Sequence, residues 1–504
     1  MIWEAISKLL LLGTSRGQLP PQAIKALEQV GVNTQQPAEQ LLLEALALYH
    51  QLRQAGFPYS KVPPAESQPE DIQHHRYPPR LQRLFPHIFK GNYRQLLPEF
   101  IALCQEHKLP PPPEYWPQLF HMAVKAPTFW AGLRQAMPPF AHRLLLQNPD
   151  WQAIAESAPG ANAPLPAVLR RYRWEAPQNA LDYLSERWDS LGFMEKKQAL
   201  EAFDIQLGGQ DEPFLTAALG DTRKEVRQKA AALLAQIPGS AVQEALQRAS
   251  VQYLSAAGPA GLSLLPPAAP DDDLKNWGLQ TGKTGKYPGG KGTAWAFEAI
   301  SKVRPAFWEA HFKTDTVKSV RLFTQSNRQK VLTDAIANAA LLHQDHTWIE
   351  ALLRHWWRTG QAEKWASALG KQLMEALPSP AANAIARQHL SGQSGSLEEQ
   401  SFIAHLLSLG THTWEDDVAL SIVGGLREWI GGAKAFYWNL WHYKRLLQVA
   451  AQKASPSILP QLEKGWPQRS PVWGQWEKDV EQLMRTLAFR RDLRQAIAEE
   501  ARNR

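Results

Sequence analysis

Cysteine is all but missing. Cys104 stands alone among 504 residues, which excludes an internal disulfide, a cysteine-rich zinc site and a CxxC redox pair together and suits a reducing compartment. Long apolar runs are missing too, since no stretch approaches the ~20 residues that cross a bilayer. Near the start, Glu4 stands where a secretory signal carries positive charge. The expectation is a soluble, cytoplasmic protein without a membrane segment.

Complete catalytic motifs are lacking as well. Gly13-Thr14-Ser15-Arg16-Gly17 has the letters of a hydrolase elbow, but a helical stripe precedes it and Leu19-Pro20-Pro21 follows, where the elbow needs a strand and then a helix. Gly278-Leu279-Gln280-Thr281-Gly282-Lys283-Thr284 places three residues between its glycines, whereas a phosphate-cradling loop needs four and a strand before it. A disordered basic connector is the expectation there. His343 and His346 have helical spacing for two metal ligands, yet no third ligand lies nearby in sequence and there is no HExxH. No catalytic residue, cofactor or metal follows, and the chain reads as non-enzymatic.

What is present is helical periodicity. With 44% apolar and 20% charged residues the composition is globular, and 504 residues exceed one core unless the chain stacks repeated units. The clearest unit is Asp211 to Ala249. Phe214, Leu215, Ala218 and Leu219 form one apolar stripe, and Val226, Ala230, Leu233, Leu234 and Ile237 form a second at 3.6-residue spacing. Pro213 fits the first turn of the first helix. Thr222 with Glu225, and Ser240 with Gln243, have capping-box spacing, and Pro238-Gly239 is a stop signal. A lone hairpin cannot bury both stripes, so neighbours of its kind should stack on it. The expected fold is all-α, a helical-hairpin solenoid in two or three segments. The organisation reads as N-terminal helices in residues 1–57, a Pro-rich linker or loop at 58–79, a helical segment at 80–158, and repeats at 159–255. A Gly/Pro/Lys-rich linker at 256–293 and a C-terminal helical array at 294–504 follow. Most of the 20 tryptophans keep helical register with Leu and Ala and should pack helices.

The formal net charge is +7. Leu274 to Lys330 carries eleven basic residues against Glu298, Glu309 and Asp315, a local excess that suits an anionic partner or a solvated face. Lys283, Lys286, Lys291, Lys302, Arg304, Lys318, Arg321 and Arg328 are the candidate contacts.

The central stretch resembles a HEAT repeat in Pro213, Leu215, Leu219, Asp221, Val226, Arg227, Ala230, Ala231 and Leu234. That resemblance implies that Asp221 and Arg227 pair between stacked repeats. More widely, the chain resembles a family of uncharacterised bacterial proteins of about this length. It shares Leu12 to Arg16, Asn148-Pro149-Asp150-Trp151, the Asp211 to Pro238 hairpin, Pro305 to Glu309 and Leu487 to Ile497. Members are often encoded beside a SWIM zinc-finger protein, a MoxR-like AAA ATPase and a von Willebrand factor A domain protein. The resemblance therefore implies a scaffold or adaptor subunit of a multi-protein ATPase system. The second reading is a HEAT-like array that binds nucleic acid through its basic C-terminal half, with a base-processing enzyme as one form of it. Far-ultraviolet circular dichroism should show a helix-dominated spectrum. A strand content near the ~20–25% of ordinary domains would contradict this reading.

Overall fold

The computed structural model describes residues 19–29, 32–54, 77–154, 165–256, 261–282, 289–392, 402–409, 412–433 and 441–503. Almost all of the regular structure is helical. Helices α1 (Pro21–Gln29) and α2 (Ala38–Gln54) share a small core of Leu19, Ala23, Leu27, Leu41, Leu42 and Ala45. The next unit comprises α3 (Pro79–Phe89), α4 (Leu97–Glu106), α5 (Trp116–Lys125), α6 (Pro127–Ala136) and α7 (Pro139–Gln147). Each of these has proline in its first turn or just before it, where the missing N–H is harmless and the fixed φ favours entry.

Six helices lie in the region expected to hold repeats: α8 (Leu165–Glu175), α9 (Pro177–Ser185), α10 (Phe193–Glu201), α11 (Glu212–Ala218), α12 (Lys224–Leu234) and α13 (Ala241–Gln252). Pro213 sits in the first turn of α11, and Ser240 Oγ accepts the Gln243 N–H at 3.2 Å, as the spacing predicts. The Gln243 amide turns instead to the carbonyls of Ala235 and Lys302. Thr222 does not cap α12. The Asp221 carboxylate accepts the Arg223 N–H at 2.8 Å, so the turn begins one residue earlier than expected.

The stretch 256–293, expected to be a linker, carries structure on both sides of 283–288. Strands β1 (Leu254–Ala256) and β2 (Leu262–Leu264) pair antiparallel, and α14 (Asp272–Asn276) follows. Leu262, Leu264, Leu274 and Leu279 are buried in the main core. Gly261 has φ +86° and lies so close to the Gln325 carbonyl that an added Cβ would sit 2.2 Å from its oxygen. Only glycine fits there. Asn327 completes the seat by accepting the Leu264 N–H at 3.0 Å. Apolar leucines two apart in a Pro-rich context read as connector in sequence; their partner Asn327 lies 63 residues beyond Leu264.

The C-terminal half runs α15 (Gly290–Ile300), α16 (Pro305–Phe312), α17 (Thr316–Thr324), α18 (Gln329–Leu342), α19 (His346–Arg358), α20 (Ala362–Trp365), α21 (Ala368–Ala376), α22 (Ser379–Gly392), α23 (Phe402–Ser408), α24 (Asp416–Gly432), α25 (Trp441–Lys453), α26 (Leu459–Leu462) and α27 (Glu477–Arg502). Trp308, Trp348, Trp356 and Trp476 are fully buried among these helices, in keeping with a packing role.

The packings form a circuit. From α4 they pass through α6, α8, α10, α12, α13, α15, α18, α21, α23 and α25 to α27, and α27 returns to α3 and α4. The long α27 belongs to two cores at once: Val480, Leu483 and Leu487 face the main core, while Leu493, Ala496 and Ile497 complete the core of residues 77–154. Glu99 on α4 closes the contact by accepting from Arg490 Nε at 2.6 Å and from Arg494 Nε at 2.7 Å. Arg490 is nearly buried and also donates to the carbonyls of Ala451 and Ala454 at 2.9 and 2.5 Å.

A second buried arginine locks the helices that follow residue 165. Arg173 on α8 and Asp211 before α11 are both fully buried and form a two-armed pair at 2.6 and 2.8 Å. Arg173 also donates to the carbonyls of Ile205 and Gln206 and lies over the Phe203 ring, and Asp211 accepts the Gly208 N–H. Removing one partner strands the other charge in the core, which costs about 3–5 kcal/mol. Asp211→Ala should lower the stability to denaturant by that amount, while the exposed Lys318→Ala changes it by less than about 0.5 kcal/mol. Equal effects of the two substitutions would show that the buried pair is not a keystone.

Candidate functional site

The structure sorts the expected basic contacts into three groups. Lys302 is spent inside the protein: its ammonium donates to the Glu298 carbonyl at 2.7 Å, and burial draws its pKa down against the opposing pull of Glu298. Arg304 likewise turns inward and donates to the Gln236 carbonyl at 3.2 Å. Each follows the last turn of α15 and satisfies a carbonyl at a helix end. Lys318 is exposed but holds Asp315 at 3.0 Å across the first turn of α17. Lys291, Arg321 and Arg328 remain exposed. The Arg328 guanidinium lies beside Gly289 at the start of α15. Lys283 and Lys286 lie outside the described residues, as does the Gly13 to Gly17 motif.

The loop that resembled a phosphate cradle has a built-in anion. Glu298 on α15 accepts the N–H groups of Thr281 and Gly282 at 2.7 and 3.1 Å and the Thr281 hydroxyl at 2.5 Å. Buried Gln280 anchors the same turn, donating to Tyr253 and to the Trp295 carbonyl and accepting the Asp271 N–H. The turn at 278–282 is therefore ordered rather than a loose connector, and its amides are occupied from within.

Asp221 and Arg227, the pair implied by the HEAT resemblance, meet through the Asp221 backbone carbonyl rather than its carboxylate. Asp221 binds Lys196 of α10 at 2.9 Å, and Arg227 donates to the backbone carbonyls of Asp221, Thr222 and Asn276. Asp221 thus links neighbouring units through lysine, while Arg227 ties the turn to α14. Burial works against the Asp221 charge, but the Arg223 N–H and the Lys196 ammonium hold its pKa below the usual range. His343 turns to the Lys302 carbonyl at 2.9 Å, and burial lowers its pKa; His346 is exposed at the start of α19. Among the described residues no group of three or more His, Cys, Asp or Glu side chains could hold a metal.

One cleft gathers what the sequence kept apart. It lies between α17 and α19, encloses about 270 Å³, and is lined by Val317, Val320, Arg321 and Gln325 from the first side and by Ala351, Arg354, His355, Arg358 and Thr359 from the second. Helical spacing explains the second set: positions 351, 354, 355 and 358 share one face of α19. The opposite face carries Ile349, Leu352, Leu353 and Trp356 into the core. Arg354 is held by Glu350 at 2.7 Å and by the Gln388 amide oxygen. Arg321 and Arg358 pair with no carboxylate among the described residues. Val317 stands 52% exposed at the rim, an apolar contact next to free guanidinium groups. Sequence reading found Arg321 and missed Arg354, His355 and Arg358, because the three stand among tryptophans in a segment that reads as packing.

Burial and the Arg321 charge together hold the His355 pKa below its ordinary value, so the imidazole is neutral at pH 7 and the cleft keeps the charge of its arginines alone. Arg321→Gln removes the repelling charge and should raise the His355 pKa, followed by NMR of the imidazole C–H signals between pH 4 and 8. An unchanged or lower value would mean that the two groups do not sense one another.

No curated protein and no solved structure matches the chain. The profile of a family of unknown function, DUF5691, matches residues 5–497. That span takes in the circuit from α3 to the buried end of α27, together with the α17–α19 cleft, and the chain belongs to this family.

Proposed function

We propose that the protein is a non-enzymatic, HEAT-like scaffold that holds other proteins and meets an acidic partner at the α17–α19 cleft. The observation that supports this is the shape of the free positive charge. Lys302, Arg304 and Lys318 are engaged within the chain, and the unpaired Arg321 and Arg358 converge with Val317 and Ala351 in one compact cleft. Nucleic acid is held by a row of cations that tracks the backbone, typically about 6–10 phosphate contacts. A small cleft with an apolar rim and two free guanidinium groups suits an acidic protein segment instead. The partners implied by the family resemblance, an AAA ATPase, a SWIM zinc-finger protein and a von Willebrand factor A domain protein, are the first to test, in the cytoplasm.

A second reading, nucleic-acid binding, draws on the exposure of Lys291, Arg321 and Arg328 on neighbouring segments. Capture from the native cell at moderate salt after nuclease treatment separates the two. The unmutated protein should retain a protein partner, and Arg321→Glu with Arg358→Glu should weaken that association at least tenfold, mainly by slowing it. Tight, salt-sensitive DNA or RNA binding that disappears when Lys283, Lys286 and Lys291 are changed to Glu would instead establish the second reading.

A further inference from the structure

We propose that the α17–α19 cleft is a binding site for a phosphate monoester dianion, carried by the partner as a phosphorylated side chain. The inference rests on the scaffold reading and names the group that the scaffold would grip. Charge balance is the first argument. Arg354 is matched by Glu350, and His355 is kept neutral by burial and by Arg321. The uncompensated charge is therefore that of Arg321 and Arg358, two positive charges from two helices. A single carboxylate leaves one of them unmatched, whereas a phosphate monoester carries about −1.5 to −2 at pH 7.

Direction is the second argument. A carboxylate is planar and accepts one guanidinium fork well. Arg321 projects from α17 and Arg358 from the last turn of α19, so the two forks approach from different elements. A tetrahedral group with three acceptor oxygens can meet both. Surroundings supply the third argument: Val317, Val320 and Ala351 line the same cleft, so apolar surface flanks the two guanidinium groups and favours an anion that carries an apolar side-chain stem. Arg354 is already fixed through Glu350 and Gln388, so it braces the wall at little further loss of side-chain freedom.

Calorimetric titration of the full chain tests the assignment with four probes: inorganic phosphate, glutarate, a short acidic peptide containing phosphoserine, and the same peptide with glutamate in its place. The phosphoserine peptide should bind at least tenfold more tightly than the glutamate peptide, and inorganic phosphate more tightly than glutarate. Arg321→Gln and Arg358→Gln should each weaken phosphopeptide binding at least tenfold, with circular dichroism unchanged. Lys371→Gln, exposed on α21 outside the cleft, should leave it within twofold. Equal binding of the two peptides, or phosphate binding indifferent to Arg321 and Arg358, overturns the proposal. Inorganic phosphate binding as tightly as the phosphopeptide overturns the partner-borne source. The scaffold reading is separable: a captured partner that depends on Arg321 and Arg358 but survives phosphatase treatment leaves the scaffold standing and removes the phosphate.

Discussion

Arg173 and Asp211 are the pair on which the middle of the molecule depends. Neither exposes any surface to solvent, so both charges are far from water and each is tolerable only in the presence of the other. Between them they satisfy the ends of three local structures: the carbonyls of Ile205 and Gln206, the N–H of Gly208, and the entry to α11. Gln206 adopts φ +51° to deliver its carbonyl, a conformation that costs a non-glycine residue about 1 kcal/mol or more and that the arginine holds in place. Since α8 also carries the packing from α6 into α10, displacement of Arg173 would loosen the joint between the first helical unit and everything after it.

Much of the fold was legible before any coordinates. Period-3.6 stripes at Val226, Ala230, Leu233 and Leu234, a proline at the entry of α11 and the cap at Ser240 are local signals, and each is where the residues predict it. Long-range facts were not legible. Nothing in the letters of Arg173 distinguishes it from the exposed Arg187, and nothing in Glu99 announces partners almost four hundred residues away. The stretch around Leu262 to Leu279 failed for the same reason, since a Pro-rich segment shows no periodicity of its own when its order is imposed by Gln325, Asn327 and Glu298.

The cleft was half legible. A count of basic residues found Arg321, but counting weights every cation alike, and folding does not. Some cations became helix-end ligands, one an ion-paired surface residue, and others came together from a segment whose tryptophans dominated its reading. Charge density along a chain identifies a region; which charges remain free is decided by hydrogen bonds that the region makes with the rest of the fold.

The closure of α27 on α3 and α4 sets an order of events during synthesis. The core of residues 77–154 is incomplete without Leu493, Ala496 and Ile497, and these are translated long after the rest of it. At about 5–20 residues per second, some 340 intervening residues take roughly 20–70 s to make. Throughout that interval an apolar surface on α3 and α4 waits uncovered, together with a Glu99 lacking its arginines. A chain that stops short of Arg490 is thus left with a hydrophobic face and an unmatched carboxylate, a combination that recruits chaperones or proteases. The core of residues 77–154 is finished only once α27 has been made.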